Sequence, residues 1–125
     1  MEWYEQLLID RSGIWWAIEN RNSQEFMGTI GLYNWVKEHR RAEIGFWLLP
    51  PFWRQGYTFE ALEEVIQYAF TQLKIHRIEA EVESLNTHSK NTLEKAGFKL
   101  EGTLKSYEIE NGEFIDLDIY AILND

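Results

Sequence analysis

Apolar and polar positions along this chain change their period several times, and each change marks an element. Residues 14–19, IWWAIE, form a short run of β-branched and aromatic side chains. Turn chemistry follows in NRNSQE, then a second apolar run, FMGTIGLY at 26–33, so the two predict a hairpin. RAEIGFWLL at 41–49 predicts a third strand. Its alternation puts Glu43, Gly45 and Trp47 on one face and Ala42, Ile44, Phe46 and Leu48 on the other.

From residue 58 to about 74 the period lengthens. Leu62, Val65, Ile66, Ala69, Phe70 and Leu73 recur at the i, i+3, i+4 spacing of a wide helical stripe. HRIEAEVE at 76–83 alternates again. A strand–helix–strand crossover of this kind joins parallel neighbours and is right-handed. A second helix is predicted over 86–96, with Lys95 in its last turn and Gly97 where a left-handed residue ends it. GTLKSYEIE and EFIDLDIYAIL close the chain as a hairpin around an Asn-Gly turn of type I′. Residues 1–9 read as a short helix or a helix tail, with Trp3, Leu7 and Leu8 on one side. There is no internal repeat and no low-complexity linker. The expectation is one domain over 1–125 of α+β (mixed α/β) class, a mixed sheet with at least two helices.

Composition narrows the class. At 125 residues, 45% of them hydrophobic, the chain suffices for one core. Six tryptophans predict either a rigid aromatic core or an aromatic-walled cleft. No apolar run approaches the roughly 18–20 residues of a membrane span, and the acidic start MEWYEQLLID lacks a signal peptide's basic region. The expectation is therefore a cytoplasmic chain with no membrane partner. Without cysteine there is no thiolate nucleophile or disulfide, and three scattered histidines give no metal-ligand spacing, so no metal is expected. A formal charge of −9 disfavours nucleic acid and suits a cationic partner, although acidity also simply keeps a small protein in solution.

Three stretches carry chemistry. PPFWRQGYTFEAL, residues 50–62, ends a strand and opens a helix around one glycine, Gly56. The free N–H groups and dipole of such a helix start make an anion site, while the same loop also serves as an ordinary connection. NTHSKNTLEKAGF, residues 86–98, starts a helix with Asn86 as N-cap and Ser89 three residues on, a pattern that capping alone explains. Glu43 is a carboxylate on the strand that feeds the loop; alone, a strand Glu is ordinarily solvent-facing.

In their order and spacing, EIGFWLLPPFWRQGYTFEAL and HRIEAEVESLNTHSKNTLEKAGFKLEGTLKSYEIENGEFIDLDIY resemble the GNAT superfamily of acetyl-CoA-dependent N-acetyltransferases, most of all the RimJ/RimL-like branch that acetylates ribosomal-protein N-termini. The resemblance covers residues 14–123. It implies a central mixed, mostly antiparallel sheet with flanking helices, acetyl-CoA as acetyl donor and an amine acceptor. It also implies that the pyrophosphate loop falls on residues 53–58, with Arg54, Gln55, Gly56, Tyr57, Thr58 and Phe59 around the phosphates. Of the family's Gln/Arg-x-x-Gly-x-Gly/Ala pattern only Gly56 matches. Thr58 departs from the usual small residue, which bears on affinity because a β-branched side chain either crowds the pyrophosphate or lends it a hydroxyl. Phe46, Trp47 and Leu48 match the strand end whose main chain pairs with the pantetheine arm, and Asn86 the asparagine near the reactive end.

The family's general-acid tyrosine falls on Leu93, which has no proton to give; by resemblance Ser89 takes its place. Glu43 is the candidate general base, with His39 and His88 as runners-up. Relatives begin with a further strand and one or two helices, which this chain is expected to lack. That would bare the edge of IWWAIE, so the expectation is a homo-oligomer in which a partner or an exchanged segment covers it. Two functional readings stand: N-acetyl transfer to a primary amine, such as a protein N-terminal α-amine, and an acetyl-CoA-binding module without turnover.

Overall fold

The computed structural model describes the backbone of residues 2–9, and residues 13–20, 22–53 and 55–125 in full. Among the described residues seven strands form one sheet: β1 (Glu2–Ile9), β2 (Ile14–Glu19), β3 (Phe26–Val36), β4 (Arg41–Leu48), β5 (Arg77–Glu83), β6 (Lys99–Glu110) and β7 (Glu113–Leu123). Two α-helices, α1 (Tyr57–Thr71) and α2 (Thr87–Lys95), interrupt them. The strand order is β1-β2-β3-β4-β5-β7-β6, antiparallel throughout except for the parallel pair β4 and β5 that the α1 crossover joins.

The expected elements form for the expected reasons. Leu62, Val65, Ile66 and Ala69 of α1 are buried against Ile30, Ala42, Ile44 and Ile78 of the sheet, so the helical stripe and the alternating strands meet in one core. Gly97 has φ +105 just past α2. Asn111 and Gly112, at φ 52 and 80, both take the positive φ that a type I′ turn requires.

Two expectations are corrected. Residues 2–9 are a strand, not a helix or helix tail, and they pair antiparallel with β2 from Glu2↔Glu19 to Ile9↔Ile14. A helix of about two turns is marginal in water, whereas the free edge of β2 offers a ladder of unpaired N–H and C=O groups. The edge expected to await a partner subunit is therefore covered by the same chain.

One irregularity positions everything that follows. β4 and β5 pair only over Arg41↔Arg77, Ala42↔Ile78 and Glu43↔Glu79. Beyond Glu43 and Glu79 the two strands part, and main-chain groups of β4 on the side away from β3 have no strand opposite them. Both helices lie against one face of the sheet, with α1 and Leu93 of α2 in the shared core. Among the described residues no helix covers the other, open face.

Candidate functional site

Where β4 and β5 part, three neighbouring cavities share lining residues and together make a cleft. The stretch between the strands, about 330 Å³, is lined from the helix side by Ile44, Phe46, Ala80 and Ser89 and from the open face by Tyr33, Gly45, Glu81 and Glu83. It continues into a cavity of about 350 Å³ among Phe46, Trp47, Leu48, Trp53, Asn86 and Ser89. From there, past Thr58, His88 and Thr92, it reaches about 240 Å³ of space at the start of α1, lined by Gly56, Tyr57, Phe59 and Lys95. These spaces thus lie side by side from the start of α1, past the start of α2, to the gap between β4 and β5.

At the first end, Gly56 is the N-cap of α1 with φ 82 and ψ 1, and makes no side-chain cap bond. A Cβ at Gly56 would meet nothing within 4 Å, so the glycine answers to its left-handed backbone rather than to crowding. The N–H groups of Tyr57, Thr58 and Phe59 have no acceptor within their own helix, and these three residues line this space. No described residue lining this end carries a carboxylate, and Lys95 Nζ stands 4.3 Å from the centre of the Phe59 ring. In a chain of net charge −9 that is a local reversal suited to a polyanion. Trp53 ties the loop back to the strand by donating Nε1–H to the Leu48 carbonyl at 2.6 Å. Gln55 is turned outward, its amide donating to the Pro51 carbonyl at 2.8 Å. Arg54 lies outside the described residues.

In the middle, α2 starts differently. The Asn86 side chain caps it, Oδ1 accepting the Ser89 N–H at 3.1 Å. That leaves the Asn86 amide N–H groups and the half-buried Ser89 hydroxyl facing the cleft. Leu93, which stands where the resemblance puts a tyrosine, is buried on the cleft floor with no proton to offer.

The open face is acidic. Glu43 is half-buried beside its cross-strand neighbour Tyr33, and Asn34 Nδ2 donates to its Oε2 at 2.8 Å. Glu43 lies next to the lining residues, whereas Glu81, which the sequence reading passed over, is among them. Burial, then the charges of Glu43, Glu108 and Glu79, push the Glu81 carboxyl above the usual range. Burial, then Glu43 and Glu81, likewise push the Tyr33 hydroxyl up. Arg77, the cation on the same face of β5, is committed to Glu79 at 2.8 Å and Glu101 at 2.6 Å. Among the described residues no cation pairs with Glu81. Trp15 stacks on Tyr33 at 5.8 Å and 9°, and Gly31 beneath the indole leaves room for it. His88 lines the cleft and His39 does not. Among the described residues no group of three or more potential ligands clusters for a metal, and no helix is long and apolar enough to cross a membrane.

Comparison with known proteins adds to this geometry. Residues 1–99 match the family model described as an acetyltransferase (GNAT) domain. The chain is 39% identical over 120 residues to YoaA, named as an N-acetyltransferase of Bacillus subtilis (strain 168), covering 96% of this chain and 68% of that one. It is 30% identical over 101 residues to the ribosomal-protein-serine acetyltransferase of Escherichia coli (strain K12), covering 81% of this chain and 56% of that one. Among solved structures, a spermidine N-acetyltransferase from Vibrio cholerae superposes with a TM-score of 0.87 at 25% identity, over 91% of this chain and 67% of that one. The chain thus spans between about half and two thirds of the length of these relatives.

Proposed function

Because the chain belongs to the GNAT acetyltransferase family, we propose that it transfers the acetyl group of acetyl-CoA to a primary amine by direct attack within a ternary complex. The observation that carries this reading is this cleft, with unpaired N–H groups and Lys95 at one end and Glu81 beside Glu43 at the other. The donor is a polyanion and the acceptor arrives as a cation, so each end suits one substrate.

The N–H groups at the start of α1 hold the pyrophosphate through the main chain, with Gly56, Tyr57, Thr58 and Phe59 around it. Thr58 lines the shared wall of the two helix-side cavities, so its hydroxyl stands ready as a further donor. The edge of β4 at Phe46, Trp47 and Leu48, which has no strand opposite it and whose Leu48 carbonyl is already taken by Trp53, pairs with the pantetheine arm, and its N–H groups polarise the thioester carbonyl. Asn86 fixes the reactive end. From the open face, Glu81 and Glu43 attract the ammonium form of the acceptor and take its proton, directly or through one water. A carboxyl held above its usual range is the better base for that step. The amine nitrogen then bonds to the carbonyl carbon, the C–S bond breaks as Ser89 Oγ–H protonates the departing thiolate, and the nitrogen's second proton returns to Ser89 Oγ as the amide forms.

An α-amine, titrating near 7.7–8.0, loses its proton far more readily than a lysine side chain near 10.4. That supports a protein N-terminus as acceptor, in line with what the Escherichia coli relative is named for. The row of carboxylates on the open face, Glu43, Glu81, Glu83 and Glu108 among them, favours a second reading, a polyamine, in line with the Vibrio cholerae structure. Thiol release from acetyl-CoA, measured with N-terminal peptides and with polyamines, tests both. Release above hydrolysis with either class supports transfer and names the acceptor. Binding of CoA with no release for any acceptor favours a CoA-binding module instead.

A further inference from the structure

Asp118 is the one buried charged side chain among the described residues, 3% exposed on β7 and outside the cleft. Its Oδ1 accepts from Ser84 Oγ at 2.6 Å and from Thr103 Oγ1 at 2.8 Å, and its Oδ2 pairs with Lys90 Nζ at 3.0 Å. Lys90 Nζ also donates to the Ser84 carbonyl at 3.1 Å. One carboxylate therefore joins β6, β7, the turn after β5 and the first half of α2. These bonds, the Ser84 hydroxyl first, hold the Asp118 carboxyl below the usual range, so it stays ionised.

The network sits where α2 has little else to hold it. The helix is nine residues long, too short to persist without tertiary contacts. Leu93 and Glu94, which is bonded to Tyr120 Oη at 2.9 Å, anchor its second half. In its first half Thr87 and His88 are exposed and Ser89 is half-buried. The turn that carries Asn86 and Ser89 is thus bracketed by Ser84 and Lys90, and both are bound to Asp118. A buried ion pair gains little stability over an apolar pair of the same shape, so fixing geometry is the better account of it.

We infer that Asp118, through Ser84 and Lys90, is a positioning residue that fixes the Asn86–Ser89 turn against the cleft. Its effect on turnover rests on the proposed acetyl transfer; its effect on the turn does not. The test is the double variant Asp118→Asn with Lys90→Met, which removes both charges and leaves the amide oxygen for Ser84 and Thr103. The readouts are amide hydrogen exchange, melting temperature and steady-state kinetics on the full chain. The expected result is exchange at Ser89, and at position 90 once corrected for its changed side chain, at least tenfold faster with α1 amides unchanged. Where turnover is measured, kcat falls at least tenfold and the KM for acetyl-CoA stays within twofold. Ser84→Ala, which removes one contact, reads the same amides with a smaller change in the same direction, and serves if the double variant does not fold. Exchange at Ser89 and position 90 within twofold of wild type in the folded variants overturns the inference. Absence of turnover in the wild type contradicts the proposed activity alone, and the exchange result still decides the positioning.

Discussion

Two helix N-termini line the same cleft and are finished in opposite ways. α2 caps itself, Asn86 Oδ1 taking the Ser89 N–H, whereas α1 starts at Gly56 with no side-chain cap. A self-satisfied terminus has side chains to offer a ligand; an unsatisfied one has main-chain N–H groups and the dipole. The first suits the neutral, reacting end of a substrate and the second suits its phosphates. On the proposed reading, that division of labour lets a chain of charge −9 present an anion site without a cluster of basic side chains among the described residues.

The comparison breaks if the two ends respond alike to substitution. The largest effect is expected at Ser89→Ala, which removes the proposed proton donor but keeps the N–H that the cap uses. Turnover in the thiol-release assay should fall about hundredfold, in the range of a lost general acid, with CoA affinity and melting temperature unchanged. Next is Gly56→Asn, which puts a side chain beside the α1 N–H groups, at a residue type that tolerates a left-handed φ. CoA binding by calorimetry should weaken about tenfold, or about 1.4 kcal/mol, while the fold holds. Asn86→Ala should cost about 1 kcal/mol of stability in a denaturant melt, the ordinary value of a lost N-cap, and Asn86→Asp should keep the cap.

The smallest effect concerns the acidic exit. The native fold favours the protonated Glu81 carboxyl, so the stability this group contributes is present below its ordinary range and is lost as pH rises through its raised value. Glu81→Gln should therefore melt slightly higher than wild type at pH 7, with the difference closing in acid. The acid limb of the pH–rate profile should move at the same time. A limb unmoved by Glu81→Gln but removed by Glu43→Gln would transfer the base to Glu43.

Much of this was legible in the sequence because it is written in local pattern. The α1 stripe, the parallel β4–β5 pair, the Asn-Gly hairpin and the Asn86 cap each rest on a few neighbouring residues. β1 was not, because Trp3 and Leu7 fit a helix as well as a strand, and only the waiting edge of β2 decides between them. Glu81 was missed because alternation gives its exposed face but not its surroundings. Partial desolvation first, and then the charges of Glu43, Glu108 and Glu79 from three strands, raise its carboxyl. Nothing in the alternating run around Asp118 marks it as buried; its three partners, Ser84, Lys90 and Thr103, come from distant parts of the chain.

The most direct test of the account compares CoA with pantetheine, which lacks every phosphate, by calorimetry on the wild-type chain. If the start of α1 holds the pyrophosphate, CoA binds at least about a hundredfold more tightly, roughly 2.7 kcal/mol, and the gap narrows as salt is raised. Equal affinity for the two, or a gap indifferent to salt, would contradict it.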